Sequence, residues 1–182
     1  MAAAIENIMV TQAFAELEGV FRAHQASVLK AAYRVTGSMA DAEDVSQSVF
    51  LRLARGTVDP DRISNLQRYL QRSAVNAALD LIRSRGHREV VPVESADELQ
   101  SDSSLSPERA VSSLEIKNWL RRELATLNPR TAEMFVLRYL EGLDNPEIAR
   151  MMNTSQAVVA VTLHRTRARL KKSLRGFMKG AS

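Results

Sequence analysis

Asn145-Pro-Glu-Ile-Ala-Arg-Met-Met-Asn-Thr-Ser-Gln-Ala-Val-Val-Ala-Val-Thr-Leu-His-Arg-Thr-Arg-Ala-Arg-Leu170 reads as a short helix, a polar turn and a longer helix with a basic end. Asn145 can cap the first helix, and Pro146 falls in its opening turn, where a missing N–H costs nothing. Ile148 to Met152 continue that helix, which stops at Asn153-Thr154. Asn153 is the kind of residue that tolerates the positive φ such a turn requires. Ser155 caps the second helix, Gln156 to about Leu174, whose Val159, Leu163 and Leu170 face inward. Ala149 is small where the two helices would cross closely. This is the helix-turn-helix pattern. Arg165, Arg167, Arg169, Lys171 and Lys172 cannot all share one face, so they straddle the helix, some toward phosphates and others toward solvent. An ordinary amphipathic helix whose basic end complements its macrodipole would carry the same charges.

Working outward, Pro107-Glu108 starts a helix with Leu114, Trp119 or Leu120, Leu124 and Leu127 inside. Asn128-Pro129 breaks it and restarts another, Arg130 to Leu140, which ends at Gly142. Nearer the N-terminus, Phe14, Leu17, Phe21, Val28, Ala32 and Val35 recur at helical steps until Thr36-Gly37. Ser38 caps a second helix, with Asp41 three residues on, and its apolar face is Ala42, Val45, Val49, Phe50 and Leu53. Gly56 to Ile63, around Asp59-Pro60-Asp61, is a loop; Ser64 then opens a third helix that buries Leu66, Leu70, Ala74, Ala77 and Leu81. Nothing alternates with period two over a useful length, so no strand is expected. The expectation is an all-α protein of two small helical domains, 12–88 and 108–178, joined by a linker at 89–107.

That linker is rich in Ser and acid and poor in bulky apolar residues, too polar to offset its ordering entropy by burial. It carries Glu89, Glu94, Asp97, Glu98 and Asp102 without a Lys or Arg. Arg83, Arg85 and Arg88 precede it, and the stretch from His164 to Lys179 has no acid. The net charge of +4 over 182 residues is therefore a near-cancellation of segregated blocks, a pattern that points to charged partners. Zero Cys excludes a disulfide framework, a thiolate zinc site and a cysteine nucleophile. His24, His87 and His164 are far apart, so no metal or other cofactor is expected. Paired carboxylates in an apolar pocket pattern, a Gly-rich phosphate loop and a Ser/His/Asp set are all missing, which argues against an enzyme. Met1 to Val10 lacks the features of a signal peptide, and no stretch has the roughly 20 apolar residues of a membrane span. A cytoplasmic protein without membrane insertion is expected.

Five strings make the whole chain recognisable. Asp41-Ala-Glu-Asp-Val-Ser-Gln-Ser-Val-Phe-Leu-Arg-Leu53 and Tyr69-Leu-Gln-Arg-Ser-Ala-Val-Asn-Ala-Ala-Leu-Asp-Leu-Ile-Arg83 lie in the first half. Leu124-Ala-Thr-Leu-Asn-Pro-Arg130, Leu137-Arg-Tyr-Leu-Glu-Gly-Leu143 and Pro146-Glu-Ile-Ala149 follow in the second. In this order, and with this kind of linker, they resemble the extracytoplasmic-function (ECF) group of sigma-70-type transcription initiation factors over nearly the full length. The resemblance implies a region 2-like domain of three or four helices and a region 4-like helix-turn-helix domain. It also implies a transcription initiation factor that binds core RNA polymerase through the β′ clamp helices and the β flap. Double-stranded and melted promoter DNA are the implied nucleic-acid partners, an anti-sigma factor the implied regulator, and the nucleoid the place of work when polymerase is bound.

Residue by residue, the resemblance assigns polymerase contact to Asp41, Asp44, Gln47 and Phe50. An acidic first helical turn would by itself account for Asp41 and Glu43. Recognition and opening of the −10 element fall to Arg68, Tyr69, Arg72, Asn76, Asp80, Arg83 and Arg85. Asn76 can offer a donor and an acceptor to a base edge. Tyr69 is either a stacking ring, a contact of roughly 1–3 kcal/mol, or a boundary aromatic. The −35 element falls to Ser155, Gln156, Ala157, Thr162, His164, Arg165, Arg167 and Arg169. Linker acids Glu94, Asp97, Glu98 and Asp102 would imitate phosphate in a polymerase channel, or serve as a solubilising tether.

The recognition helix departs from the family's usual run, with Ala160 and Thr162 where cations are common. Ala157 or Val158 can instead touch a thymine methyl, and each lost bidentate base contact forfeits roughly 1–3 kcal/mol of discrimination. Ser48, Ser73 and Val75 are further departures. They leave one alternative, a sigma-like decoy that sequesters an anti-sigma factor without promoter-specific DNA binding.

Overall fold

The computed structural model describes residues 2–55, 63, 65–86 and 107–180; the side chains of 2–16, 86, 107–112 and 180 lie outside that description. Seven helices and no strand occur among the described residues: α1 (Ala2–Thr36), α2 (Met39–Ala54), α3 (Leu66–Gly86), α4 (Pro107–Thr126), α5 (Pro129–Tyr139), α6 (Asn145–Met151) and α7 (Gln156–Gly180). None is long and apolar enough to cross a membrane. The linker expected at 89–107 lies outside the described residues except for Pro107, which begins α4.

Helices α1, α2 and α3 form the first bundle. Gly37 ends α1 at φ +70°, a region that costs a Cβ-bearing residue strain, and its N–H returns to the Tyr33 carbonyl at 2.7 Å. Ser38 caps α2 as expected, its Oγ accepting from the Asp41 N–H at 3.3 Å. The inward faces of α1 and α2 are Val28, Ala31, Ala32 and Val35, then Ala42, Val45, Val49, Phe50 and Leu53. The alanines let the helix backbones approach closely, and the Phe21 and Phe50 rings meet edge-on at 4.8 Å. The expected α3 cap, Ser64, lies outside the described residues; Asn65 Oδ1 accepts from the Arg68 N–H at 3.0 Å.

Helices α4 to α7 build the second bundle around Trp119, Leu124, Leu127, Met134, Phe135, Leu137, Ile148, Val159, Leu163 and Leu170. Leu114, expected inside, is partly in water. Asn128 caps α5, accepting from the Arg130 N–H at 3.1 Å with Pro129 in the first turn. Gly142, at φ +73°, lets the Leu143 N–H reach back to the Leu137 carbonyl at 3.0 Å. The α6 cap is Asp144, one residue before the expected Asn145, because Asp144 and Glu147 form a reciprocal capping box at 2.7 and 2.9 Å. Asn153 adopts φ 48° in the turn, as its residue type suggested.

The two bundles share one apolar cluster, with α3 as the common wall. One side of α3 packs on α1 and α2; the other packs on α4 and α5. This explains why α3 buries Leu70, Ala74, Val75, Ala78 and Leu79, a wider surface than the single stripe read from periodicity. Leu66, Ala77 and Leu81, expected on the buried side, sit at its margin, half-buried.

Candidate nucleic-acid and partner interfaces

The helix-turn-helix unit is α6, the Asn153 turn and α7, closed by Ile148, Ala149, Val159 and Leu163. Each α7 residue advances about 100°, so Ala157, Val161, His164, Arg165 and Lys172 project opposite the buried line of Val159, Leu163, Thr166 and Leu170. Ser155 and Gln156 stand exposed at the helix start, Ser155 Oγ accepting from the Val158 N–H at 3.2 Å. Thr162 is half-buried, and its carbonyl accepts from the Thr166 hydroxyl at 2.8 Å. Arg167 and Arg169 leave the outer face for opposite flanks. The Arg167 guanidinium lies 6.0 Å from the Tyr139 ring centroid, and Arg169 Nη2 donates to Thr126 Oγ1 at 3.1 Å. Val158 and Val161 are each 49% exposed, a large apolar share for a helix whose outer side also carries His164, Arg165 and Lys172.

Arg68, Arg72, Asn76, Asp80 and Arg83 recur along one stripe of α3, with Tyr69 at its edge, partly buried against the core. The start of this stripe is turned toward the second bundle. Arg68 Nη2 meets Glu147 Oε1 at 3.1 Å, and Arg72 Nε meets Glu133 Oε1 at 2.5 Å. Asn76 Nδ2 donates to the same Glu133 oxygen at 3.1 Å, and Arg72 Nη1 donates to the Met151 carbonyl. Farther along, Arg83 Nη1 pairs with Asp80 Oδ1 at 2.9 Å within the helix.

On α2, the four assigned residues part company. Asp44 and Gln47 are exposed, one turn apart. Phe50 is buried against Phe21, and Asp41 is buried under Arg85. The Arg85 guanidinium grips both Asp41 oxygens, with Nη2 donating to Oδ1 at 2.6 Å, so one residue assigned to polymerase and one assigned to DNA hold each other. Leu51, one turn beyond Gln47, is 54% exposed and completes the outer face of α2.

Sequence reasoning missed Leu51, Val161 and Glu133. Glu133 is an acid inside the apolar run Thr131-Ala-Glu-Met-Phe-Val-Leu137, an irregularity that marks a buried group needing a partner. Arg121 was missed as well. It leaves α4 to lie against Gly37 at the α1 C-terminus, and burial pushes its guanidinium below the ordinary value while Tyr33 opposes that.

Comparison with known proteins divides the chain in the same way. Residues 20–88 match the family model for sigma-70 region 2, and residues 117–170 match that for sigma-70 region 4. The chain is 30% identical over 163 residues to the RNA polymerase sigma-E factor of Streptomyces coelicolor, covering 87% of this chain and 86% of that protein. It is 28% identical over 171 residues to the ECF RNA polymerase sigma factor SigW of Bacillus subtilis, covering 90% and 89%. Among solved structures, CnrH in complex with the cytosolic domain of CnrY shares the fold at TM-score 0.55 and 22% identity, over 93% of this chain and 96% of that one.

Proposed function

The chain belongs to the extracytoplasmic-function group of sigma-70-type RNA polymerase sigma factors, and from that membership we propose how its parts divide the work of directing core polymerase to promoters. Asp44, Gln47 and Leu51 form the α2 face that docks on the β′ clamp helices, with polar groups around one apolar contact. Asp41 and Phe50 support that face from beneath. The α3 stripe of Arg68, Arg72, Asn76 and Arg83, with Tyr69 beside it, contacts and opens the −10 element. Guanidiniums hold phosphates, and the amide and ring address unpaired bases.

Helix α7 enters the major groove of the −35 element with its exposed N-terminal half. Ser155, Gln156 and His164 offer polar contacts, Arg165 and the flanking Arg167 and Arg169 reach the phosphates, and Ala157, Val158 and Val161 present methyls to thymine. With Ala160 and Thr162 in place of cations, readout here leans on apolar contact rather than on bidentate guanine recognition. The second bundle also docks on the β flap. A partner of the kind seen with CnrH, covering the polymerase-docking surfaces, is the anti-sigma regulator in this reading.

The observation that carries the proposal is that both sigma regions occur in order, with Asp44, Gln47 and the α7 outer face in water. Run-off transcription with matching core polymerase over a promoter library tests it. The expected result is transcripts whose promoters share two elements. Absence of core binding rejects the reading, and core binding without promoter-dependent transcripts identifies a decoy instead.

A further inference from the structure

The outer face of α7 begins without charge. Residues 155–163 include no Asp, Glu, Lys or Arg, and no acid follows Glu147 in the sequence. At about 100° per residue, Val161 falls almost directly opposite the buried line of Val159, Leu163, Thr166 and Leu170. It therefore points most nearly away from the core, with Ala157 and Val158 on either side and all three exposed. Cations begin one turn past Val161, at Arg165, and continue through Arg167, Arg169 and Lys172. A neutral, methyl-covered tip followed by exposed cations and no acid fits a polyanion that also presents apolar groups. In a major groove that apolar group is the C5-methyl of a pyrimidine.

The polar groups of this tip are as informative as its methyls. Ser155 offers a hydroxyl, Gln156 an amide and His164 an imidazole, all exposed. A hydroxyl, an amide and a neutral imidazole each both donate and accept. Thymine shows an O4 acceptor beside its methyl, whereas cytosine shows an N4 amine donor. A carboxylate would insist on the amine and a guanidinium or ammonium on the acceptor, and neither type stands in the tip before Arg165. An amide that turns over suits either base. What the tip distinguishes is therefore the methyl group.

We propose that α7 reads the pyrimidine C5-methyl group rather than the base that carries it, so that 5-methylcytosine replaces thymine in the −35 element and methylation of a cytosine there raises promoter use. The inference rests on the assignment of α7 to the −35 element. Val161 is the specificity-determining residue, with Ala157 and Val158 as its flanks. Covering one methyl is worth about fourfold in affinity, and that increment is the same beside O4 or N4. Arg165 and the cations beyond it supply the phosphate affinity on which the increment is superimposed.

The test uses holoenzyme reconstituted from the full chain and core polymerase, on a promoter drawn from the run-off library. The −35 thymine whose replacement costs most is changed in turn to deoxyuridine, cytosine and 5-methylcytosine, each with its matching purine opposite. Deoxyuridine removes only the methyl from thymine, and 5-methylcytosine adds only the methyl to cytosine. Deoxyuridine should bind about fourfold more weakly than thymine, and 5-methylcytosine about fourfold more tightly than cytosine. Val161→Ser should bring both ratios close to one, and Val161→Ile should keep them. Each ratio is taken within one variant, so a general loss of folding or affinity cancels. Deoxyuridine equal to thymine, 5-methylcytosine equal to cytosine, or a −35 element that requires no thymine overturns the proposal while the −35 assignment stands. Weaker core-polymerase binding by Val161→Ser with both ratios unchanged assigns the valine to a protein contact and also overturns it. Holoenzyme binding unmoved when the whole −35 element is replaced places the fault in the assignment of α7 itself.

Discussion

Helices α3 and α7 carry similar chemistry and spend it in opposite ways. Both line up arginines beside an apolar surface, and the family resemblance assigned both to promoter DNA. The leading guanidiniums of α3 are consumed within the molecule by Glu133 and Glu147, whereas Arg165 and Lys172 of α7 stand in water. Charge composition alone therefore says little about whether a basic helix is available. What decides it is the neighbour on the far side, and here that neighbour is the other half of the same chain.

Truncating one anchor in each helix gives the largest expected effect. Leu79→Ala in α3 and Leu163→Ala in α7 should each cost about 2–5 kcal/mol in urea unfolding, because both side chains are buried in packed cores. If the halves unfold as one unit through α3, Leu79→Ala moves the transition of the whole chain. If α7 is the less integrated helix, Leu163→Ala yields a separate early transition.

Arg85→Ala comes next, with an expected loss of about 1–3 kcal/mol, since it strips the partner from the buried Asp41 carboxylate while the half-exposed Arg85 side limits the penalty. Asp41→Asn in the same background should recover part of the loss. Unchanged stability in Arg85→Ala would show the pair to be decorative.

The comparison itself breaks or holds on salt dependence. Arg165→Ala with Lys172→Ala should lower the slope of log affinity against log salt for duplex promoter DNA by roughly 1.8, near 0.9 for each lost phosphate contact. Arg68→Ala, taken from the α3 stripe and paired with Glu147, should leave that duplex slope unchanged in the full chain. Equal losses from both helices would erase the distinction drawn between them. The smallest effect belongs to Val161→Ala, expected to relax preference at one thymine by about 1 kcal/mol while leaving general affinity intact, as read from a −35 substitution library.

Local devices were legible from the chain because they act across a few residues. Gly37, Ser38, Asn128, Asn153 and Ser155 all do what their types and places suggested. The α6 cap was misplaced by one residue, although Glu147 three positions after Asp144 was the readable clue. Long-range pairings were not legible. Asp41 looks like a surface acid at a helix start until Arg85, far along the chain, closes on it. The second buried side of α3 likewise has no signature in its own periodicity, because the burial is imposed by α4 and α5. Among the site candidates, order and family resemblance located the regions, whereas exposure separated Asp44 and Gln47 from Asp41 and Phe50.

The turn at Gly37 has a genetic consequence. A Cβ built there would fall inside the Arg121 guanidinium, and the backbone already sits where side chains are strained. Gly37→Ala is thus two lesions in one codon, a bad turn in the first bundle and an evicted cation in the second. A screen for second-site suppressors of Gly37→Ala should return small residues at Arg121, which relieve the collision but leave the turn strained. Restored growth or reporter output would be partial, and its size would measure how much of the defect travelled across the molecule.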